Sequence, residues 1–151
     1  MKNIQIIKEK LLRESFEFVE KRMQTIQKTM DSNKNDLFSE TKSSAGDKHE
    51  TGRAMIQLEM EKASQQLSIV YEMNEILQRV SIEDSSDIVK LGSLIKTTKG
   101  TYFLAVSVGQ VEIEGNTYFV VSSKSPIGKQ LLGKREGDEL TFNKAKILDI
   151  L

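Results

Sequence analysis

The sequence predicts an α+β protein in which an antiparallel helical hairpin is followed by a small antiparallel β-sheet with one short helix. Two observations carry this prediction. In the first half of the chain, apolar residues recur at alternating spacings of four and three, which is the pattern of helices that pack side by side as a coiled coil. In the second half, short runs rich in β-branched and aromatic residues are separated by turns that contain glycine, which is typical of strands.

Two apolar stripes define the hairpin. The first consists of Leu12, Phe16, Val19, Met23, Ile26 and Met30, and the second of Ile56, Met60, Ala63, Leu67, Val70, Asn74 and Leu77. Met55 and Ile69 flank the second stripe, and we predict that the methionines fill the core. Neither stripe can bury itself alone, so we expect the helices to pack on each other or on a second chain. A second helix from about residue 47 to about residue 80 is on the order of 50 Å long at roughly 1.5 Å per residue.

Polar segments divide the first half of the chain. Residues 31–36 are rich in Asp, Asn and Ser, which compete for backbone hydrogen bonds, so we expect a break, a kink or fraying of the first helix there. Residues 43–46 are expected to turn the chain. We therefore place the hairpin at residues 1–82, with its tip near 45–50, and a second domain at residues 87–151.

The second domain is predicted to be a sheet with a single helix. Candidate strands lie at 89–91, 93–96, 102–108, 111–113, 117–122, 139–142 and 147–150. Pro126 opens a short helix over 127–132, and Gly133 closes it.

Composition excludes several classes of function. The chain of 151 residues has 22 basic and 22 acidic side chains, no cysteine and one histidine, His49. Zero net charge gives no general attraction to DNA or to an anionic membrane. The absence of cysteine excludes disulfides and thiolate metal sites, and the single histidine excludes multi-histidine zinc sites. Because the N-terminus does not read as a signal peptide and no run approaches the length of a membrane span, we expect a cytoplasmic protein.

The chain resembles the bacterial Gre transcript-cleavage factors. The C-terminal part of this resemblance rests on Val89-Lys90-Leu91-Gly92-Ser93, on Ser125-Pro126-Ile127-Gly128-Lys129-Gln130-Leu131-Leu132-Gly133-Lys134 and on Gly137-Asp138; the N-terminal part rests on the tip motif Gly46-Asp47-Lys48-His49-Glu50. The resemblance implies an FKBP-like sheet that docks at the rim of the RNA polymerase secondary channel, with the coiled coil inserted down that channel. It implies a transcription elongation factor that is not itself an enzyme but assists the intrinsic transcript cleavage of the polymerase.

The two tip carboxylates are the candidate catalytic groups. Hydrolysis of a phosphodiester at a polymerase centre requires a second Mg²⁺, and Mg²⁺ prefers carboxylate oxygen. Asp47 and Glu50 are spaced i, i+3, so they fall on one side of a helix start and can share an ion whose other ligands belong to the polymerase. We expect Mg²⁺ only in that complex, with no tightly bound cofactor. A capping box, with Asp47 as N-cap and Glu50 at N3, explains the same spacing.

Basic residues surround the tip. Lys42, Lys48 and Arg53 are candidates for contacts with RNA or nucleotide phosphates, or they are solvated charges at helix ends. We interpret His49 as a solvated tip residue, because nothing nearby in the sequence would orient it for catalysis.

The predicted helix near Pro126 is the candidate docking surface for the polymerase. Its residues are Ser125, Pro126, Ile127, Lys129 and Lys134. Ser125 and Lys129 also suggest a serine–lysine dyad, but N-capping by the serine explains their four-residue spacing better.

Three alternatives remain open. An inhibitory or regulatory channel binder has the same architecture, because fold alone does not choose the sign of the effect. A prolyl isomerase is suggested by the FKBP-like fold and disfavoured by the absence of tryptophan. A dimeric coiled-coil adaptor would pair the stripes between chains. The preferred interpretation is a monomer that binds RNA polymerase, and through it the 3′ end of the nascent RNA.

Overall fold

The computed structural model describes the backbone of residues 2–42 and 46–151 and the side chains of residues 3–39 and 51–151. Within this described part the chain forms two long helices, then five strands and one short helix, which confirms the predicted α+β class. In chain order the elements are α1 Lys2–Lys42, α2 Gly46–Arg79, β1 Leu94–Thr97, β2 Gly100–Ala105, β3 Gly109–Ile113, β4 Asn116–Ser122, α3 Pro126–Leu131 and β5 Ile147–Ile150.

Backbone contacts group the chain into two compact units. The helical unit is Val19–Met73, and the sheet unit comprises Met1–Phe18 and Asn74–Leu151. This division falls inside α1 and α2, whereas the predicted boundary lies in the linker after residue 82. The domain limits 1–82 and 87–151 therefore stay a prediction.

The predicted stripes are the buried faces of the helical unit. On α1 the residues from 19 to 37 that are buried or half-buried are Val19, Met23, Ile26, Met30, Asn33 and Leu37. On α2 the stripe from Ile56 to Val70 is likewise buried or half-buried. Val70 has no exposed surface, which a valine on an isolated helix cannot achieve. The two helices therefore pack on each other within one chain.

The predicted break at residues 31–36 is wrong, because α1 continues to Lys42. Asn33 occupies the next position of the stripe and is only 4% exposed, and Leu37 follows it four residues later. Packing of this stripe therefore overrides the weak helix propensity of the polar segment.

One methionine predicted to fill the hairpin core, Met55, is exposed, and so is Ile69, which flanks the stripe. Met55 is 64% exposed and Ile69 53% exposed. They lie beside the stripe, on a part of α2 that the facing helix does not cover. The remaining methionines of the two stripes are buried or half-buried as predicted.

The sheet has the strand order β3-β4-β2-β1-β5. The pairs β1·β2, β1·β5 and β3·β4 are antiparallel, but β2·β4 is parallel, so the prediction of a purely antiparallel sheet is wrong at this pair. The predicted strand 102–108 ends at Ala105, and the chain turns before Gly109, which has a φ of 100°. The chain then forms β3, which pairs with the edge of β4 that faces away from β2. β4 itself lies beside β2 and runs parallel to it.

Two predicted strands, at 89–91 and 139–142, are not strands of the sheet. An isolated bridge joins Ile88, just before the first of these segments, to Arg135, and another joins Glu139, in the second, to Lys146. Their apolar residues nevertheless enter the core, because Val89 is 1% exposed and Leu140 0% exposed. The core of the sheet unit contains Val89, Ile95, Leu104, Leu131, Leu140, Ala145 and Ile147.

Candidate functional site

The tip acids lie in the first turn of α2. This helix begins at Gly46, one residue before the predicted start, and α1 ends at Lys42. Asp47 and Glu50 are thus three residues apart on a helical backbone, which puts them on the same side of the helix. The partial positive charge of a helix N-terminus favours carboxylates there. Their side chains lie outside the described residues, so both the capping box and the shared-ion interpretation stay predictions.

The basic residues at the tip divide into two groups. Lys42 ends α1 and Lys48 is in the first turn of α2, and their side chains, like that of His49, lie outside the described residues. Arg53 is on α2, one turn beyond the acids, and is exposed. Its guanidinium is therefore accessible to a phosphate, while the phosphate role of all three cations stays a prediction.

The donor chemistry of the tip suits part of a magnesium site. Among the side chains that the structure describes, no group of three or more His, Asp or Glu is placed to hold a metal ion, and the tip acids lie outside that set. Two carboxylates on one helical turn offer the hard oxygen ligands that Mg²⁺ prefers, but fewer than its octahedral shell requires. A site shared with a partner that supplies the remaining ligands therefore stays a prediction.

Ser125 is the N-cap of α3. Its backbone is extended, with φ −73° and ψ 160°, and its Oγ accepts a hydrogen bond from the Gly128 N–H at 3.1 Å. The same hydroxyl donates to the Ser122 carbonyl oxygen at 2.6 Å. N-capping therefore accounts for the serine–lysine spacing, as the sequence predicts.

Glycine is required at position 128 because the start of α3 approaches the end of β4 closely. A Cβ on Gly128 would overlap the carbonyl oxygen of Ser122. The Ser-Pro-x-Gly run thus fixes how α3 leaves the sheet.

The predicted docking residues differ in exposure. Pro126 and Lys129 are exposed and Lys134 is half-buried. The Ser125 hydroxyl is engaged in capping α3, and Ile127 packs against the core of the sheet unit. The exposed members are the ones available to a partner, and their docking role stays a prediction.

Sequence reasoning missed two apolar residues on the segments that flank α3. Leu132 is 48% exposed and Ile88 is 38% exposed. Ile88 precedes the buried Val89, so alternation of inward and outward side chains along this segment is the signal that identifies it. Both residues add exposed apolar surface to the sheet unit.

One ion pair and one tyrosine define the electrostatics at the β3–β4 turn. Lys10 Nζ lies 2.8 Å from Glu114 Oε1, and both side chains are well exposed to solvent, so this pair stabilises the unit little. Burial raises the pKa of Tyr118 above its usual value of 10.0, and the charge of Glu114 adds to this effect.

Fold and site together define a class of protein: two long helices with paired acids where the second begins, followed by a small mixed sheet with a capped short helix. Residues 84–150 match the family model described as transcription elongation factor, GreA/GreB, C-term. This match confirms the C-terminal part of the resemblance found in the sequence, to the Gre transcription elongation factors. The N-terminal part, which rests on the tip motif at residues 46–50, stays a prediction. No curated protein matches the chain. Within the described residues, no helix is long and apolar enough to cross a membrane.

Proposed function

We propose that this protein binds bacterial RNA polymerase through its secondary channel, in the cytoplasm, and stimulates cleavage of backtracked RNA. The observation that carries the proposal is the GreA/GreB C-terminal match over residues 84–150, preceded by two long helices with Asp47 and Glu50 where α2 begins. The protein is not an enzyme on its own in this proposal, because the active centre belongs to the polymerase.

Asp47 and Glu50 supply carboxylate oxygens to a Mg²⁺ that the polymerase also ligates. Such an ion, when bound, activates water and stabilises the departing oxygen. This chain holds both carboxylates on one helical turn, so that both reach the active centre of the polymerase together. Since two carboxylates are an incomplete ligand set, the free protein binds Mg²⁺ weakly.

Cations beside the acids meet the RNA. Lys42 ends α1, Lys48 is near the start of α2, and Arg53 lies one helical turn beyond Glu50. In the proposed complex these side chains contact phosphates near the 3′ end of the transcript, which positions the RNA without reading its sequence.

The α3 surface docks the sheet unit on the polymerase. Pro126 and Lys129 are exposed there, and Leu132 adds exposed apolar area. A charge reversal, Lys129→Glu, therefore weakens binding to the polymerase while the tip acids remain intact.

A second candidate function is inhibition of the polymerase from the same channel. Residues 51–55, which follow the tip, contain no aromatic side chain, whereas the Gre tip motif that this chain resembles usually continues to a tyrosine. Inhibition would use the same docking surface and would block extension without shortening the RNA.

The test uses stalled, backtracked elongation complexes with end-labelled RNA. Wild-type protein is compared with Asp47→Asn/Glu50→Gln, which removes both charges and keeps the side-chain shapes. The matched control is Asp36→Asn/Glu59→Gln, which neutralises two exposed acids elsewhere on the same helices. Binding to the polymerase is measured separately for every variant.

We expect wild type and control to shorten the RNA, and the tip variant to bind without doing so. Loss of the two carboxylates should reduce the cleavage rate at least 100-fold, about 2.7 kcal/mol of transition-state stabilisation. Binding that blocks extension without cleavage would favour the inhibitor, and absence of binding would overturn both functions.

A further inference from the structure

Lys8 is an almost fully buried lysine in the sheet unit. It lies on α1, has only 3% of its surface exposed, and makes no hydrogen bond or ion pair with the residues that the structure describes. Burial lowers the pKa of Lys8 below 10.5, and the nearby charge of Lys90 lowers it further. Lysine side chains are rarely withdrawn this far from solvent unless they are paired, so this side chain requires an explanation.

Lys8 lines a cavity of about 280 Å³. The wall contains Ile4 from the same helix, Ile82 from the linker that follows α2, and Ile150 from β5. Two carboxylates, Glu83 and Asp84, line the same cavity and are exposed. The cavity therefore offers one cation, an aliphatic wall and an anionic rim.

These three features select the ligand. An inorganic phosphate or a nucleotide would meet the lysine but would be repelled by the two rim carboxylates and would gain nothing from the isoleucines. A simple amine would pair with the rim carboxylates and leave the Lys8 ammonium without a partner. A molecule with a carboxylate, an ammonium group and a short aliphatic body matches all three features, and the cavity is smaller than the usual range for drug-sized ligands.

We propose that this cavity binds a small aliphatic amino acid. Its carboxylate accepts hydrogen bonds from the Lys8 ammonium, its side chain lies against the isoleucines, and its ammonium group faces Glu83 and Asp84. Asp84 is suited to this role because one of its oxygens, Oδ2, accepts from the Ser81 hydroxyl at 3.3 Å, which leaves Oδ1 for a ligand. The site is independent of the proposed action on RNA polymerase.

The test is ligand-observed NMR on the full chain with three probes of similar shape. Leucine carries both charges, 4-methylpentanoate only the carboxylate, and isoamylamine only the amine. The variants are Lys8→Met, which keeps the length of the side chain, and Asp84→Asn on the exposed rim. Lys21→Met, an exposed lysine of the same helix, is the control.

We expect leucine to bind wild type and control more tightly than either single-charge probe. Lys8→Met should weaken leucine at least tenfold. Asp84→Asn should weaken leucine and leave 4-methylpentanoate unchanged, and this second variant tests the site even where the Lys8 change alters the fold. Failure of leucine to bind wild type at concentrations on the order of 10 mM, or equal binding of leucine and 4-methylpentanoate, would overturn the proposal.

Discussion

The helical unit and the sheet unit bury apolar residues in different ways. Each long helix buries one stripe and leaves other apolar side chains in solvent, such as Met55, Leu58 and Ile69. In the sheet unit, Ile95, Leu104 and other residues with no exposed surface form one cluster that draws on segments from Val89 to Ile147. Burial in the helical unit thus follows a local repeat, whereas burial in the sheet unit depends on contacts between distant segments.

Each unit also holds one unusual buried polar group. In the helical unit, the Nδ2 of Asn33 is buried without a hydrogen-bond partner among the described residues. In the sheet unit, Lys8 is buried beside a cavity. A polar residue at a core position of a coiled coil specifies register at a cost in stability, whereas the cavity beside Lys8 leaves room for a ligand. We therefore expect a small molecule to bind beside Lys8 and none to bind at Asn33.

The largest expected effect comes from deleting the same side chain in each unit. Leu104→Ala removes a fully buried leucine and should lower the free energy of unfolding by about 2–5 kcal/mol, because a cavity is left in a closed core. Leu67→Ala removes a half-buried leucine from the α2 stripe and should lower it by about 1–2 kcal/mol. Urea unfolding followed by circular dichroism measures both. Equal losses would contradict the distinction between a closed core and an open stripe.

An intermediate effect is expected at the buried asparagine. Asn33→Leu should raise the free energy of unfolding by about 1–2 kcal/mol, because it replaces an amide whose buried Nδ2 has no partner among the described residues with an apolar side chain. The same change at the exposed Asn35 is the control and should leave stability nearly unchanged. Sedimentation of both variants shows whether the asparagine also keeps the helices paired within one chain. Destabilisation by Asn33→Leu would mean that the amide has a partner and that the helical unit needs it.

The smallest expected effect concerns the pH dependence of stability at Lys8. Its pKa in the folded state lies below the unfolded value of 10.5, so the unfolded chain binds more protons between these two pKa values. The free energy of unfolding of wild type should therefore rise with pH in this interval. Lys8→Met removes that dependence and should be more stable than wild type by about 1 kcal/mol at pH 7.

The expected observation is a stability gap between Lys8→Met and wild type that narrows as pH rises. Thermal unfolding at several pH values below 10.0 measures it, because above this value the raised pKa of Tyr118 acts in the opposite direction and destabilises the folded state. Lys21→Met provides the baseline for an exposed lysine. A gap that stays constant with pH would show that burial does not shift the pKa of Lys8.

Local patterns predicted the helical unit well and the sheet unit only in part. The heptad spacing identified both stripes, and the glycine before Asp47 located the start of α2 to within one residue. The polar run around Asn33 led to the wrong prediction of a break in α1, because helix propensity is weak compared with the packing of a continuous stripe. The candidate docking set was found as a motif, yet its division into exposed Pro126 and Lys129 and core-packed Ile127 required the fold.

By itself, the sequence determined the α+β fold class, the long helices, their buried faces, the capped start of α3 and the placement of two acids where α2 begins. These features depend on residues a few positions apart, so spacing alone reveals them. Only the tertiary structure decided that the helices pair within one chain, that β2 and β4 run parallel, and that Lys8 faces a cavity with Ile82 and Asp84. These features depend on contacts between residues distant in sequence, whose pairing no local periodicity records.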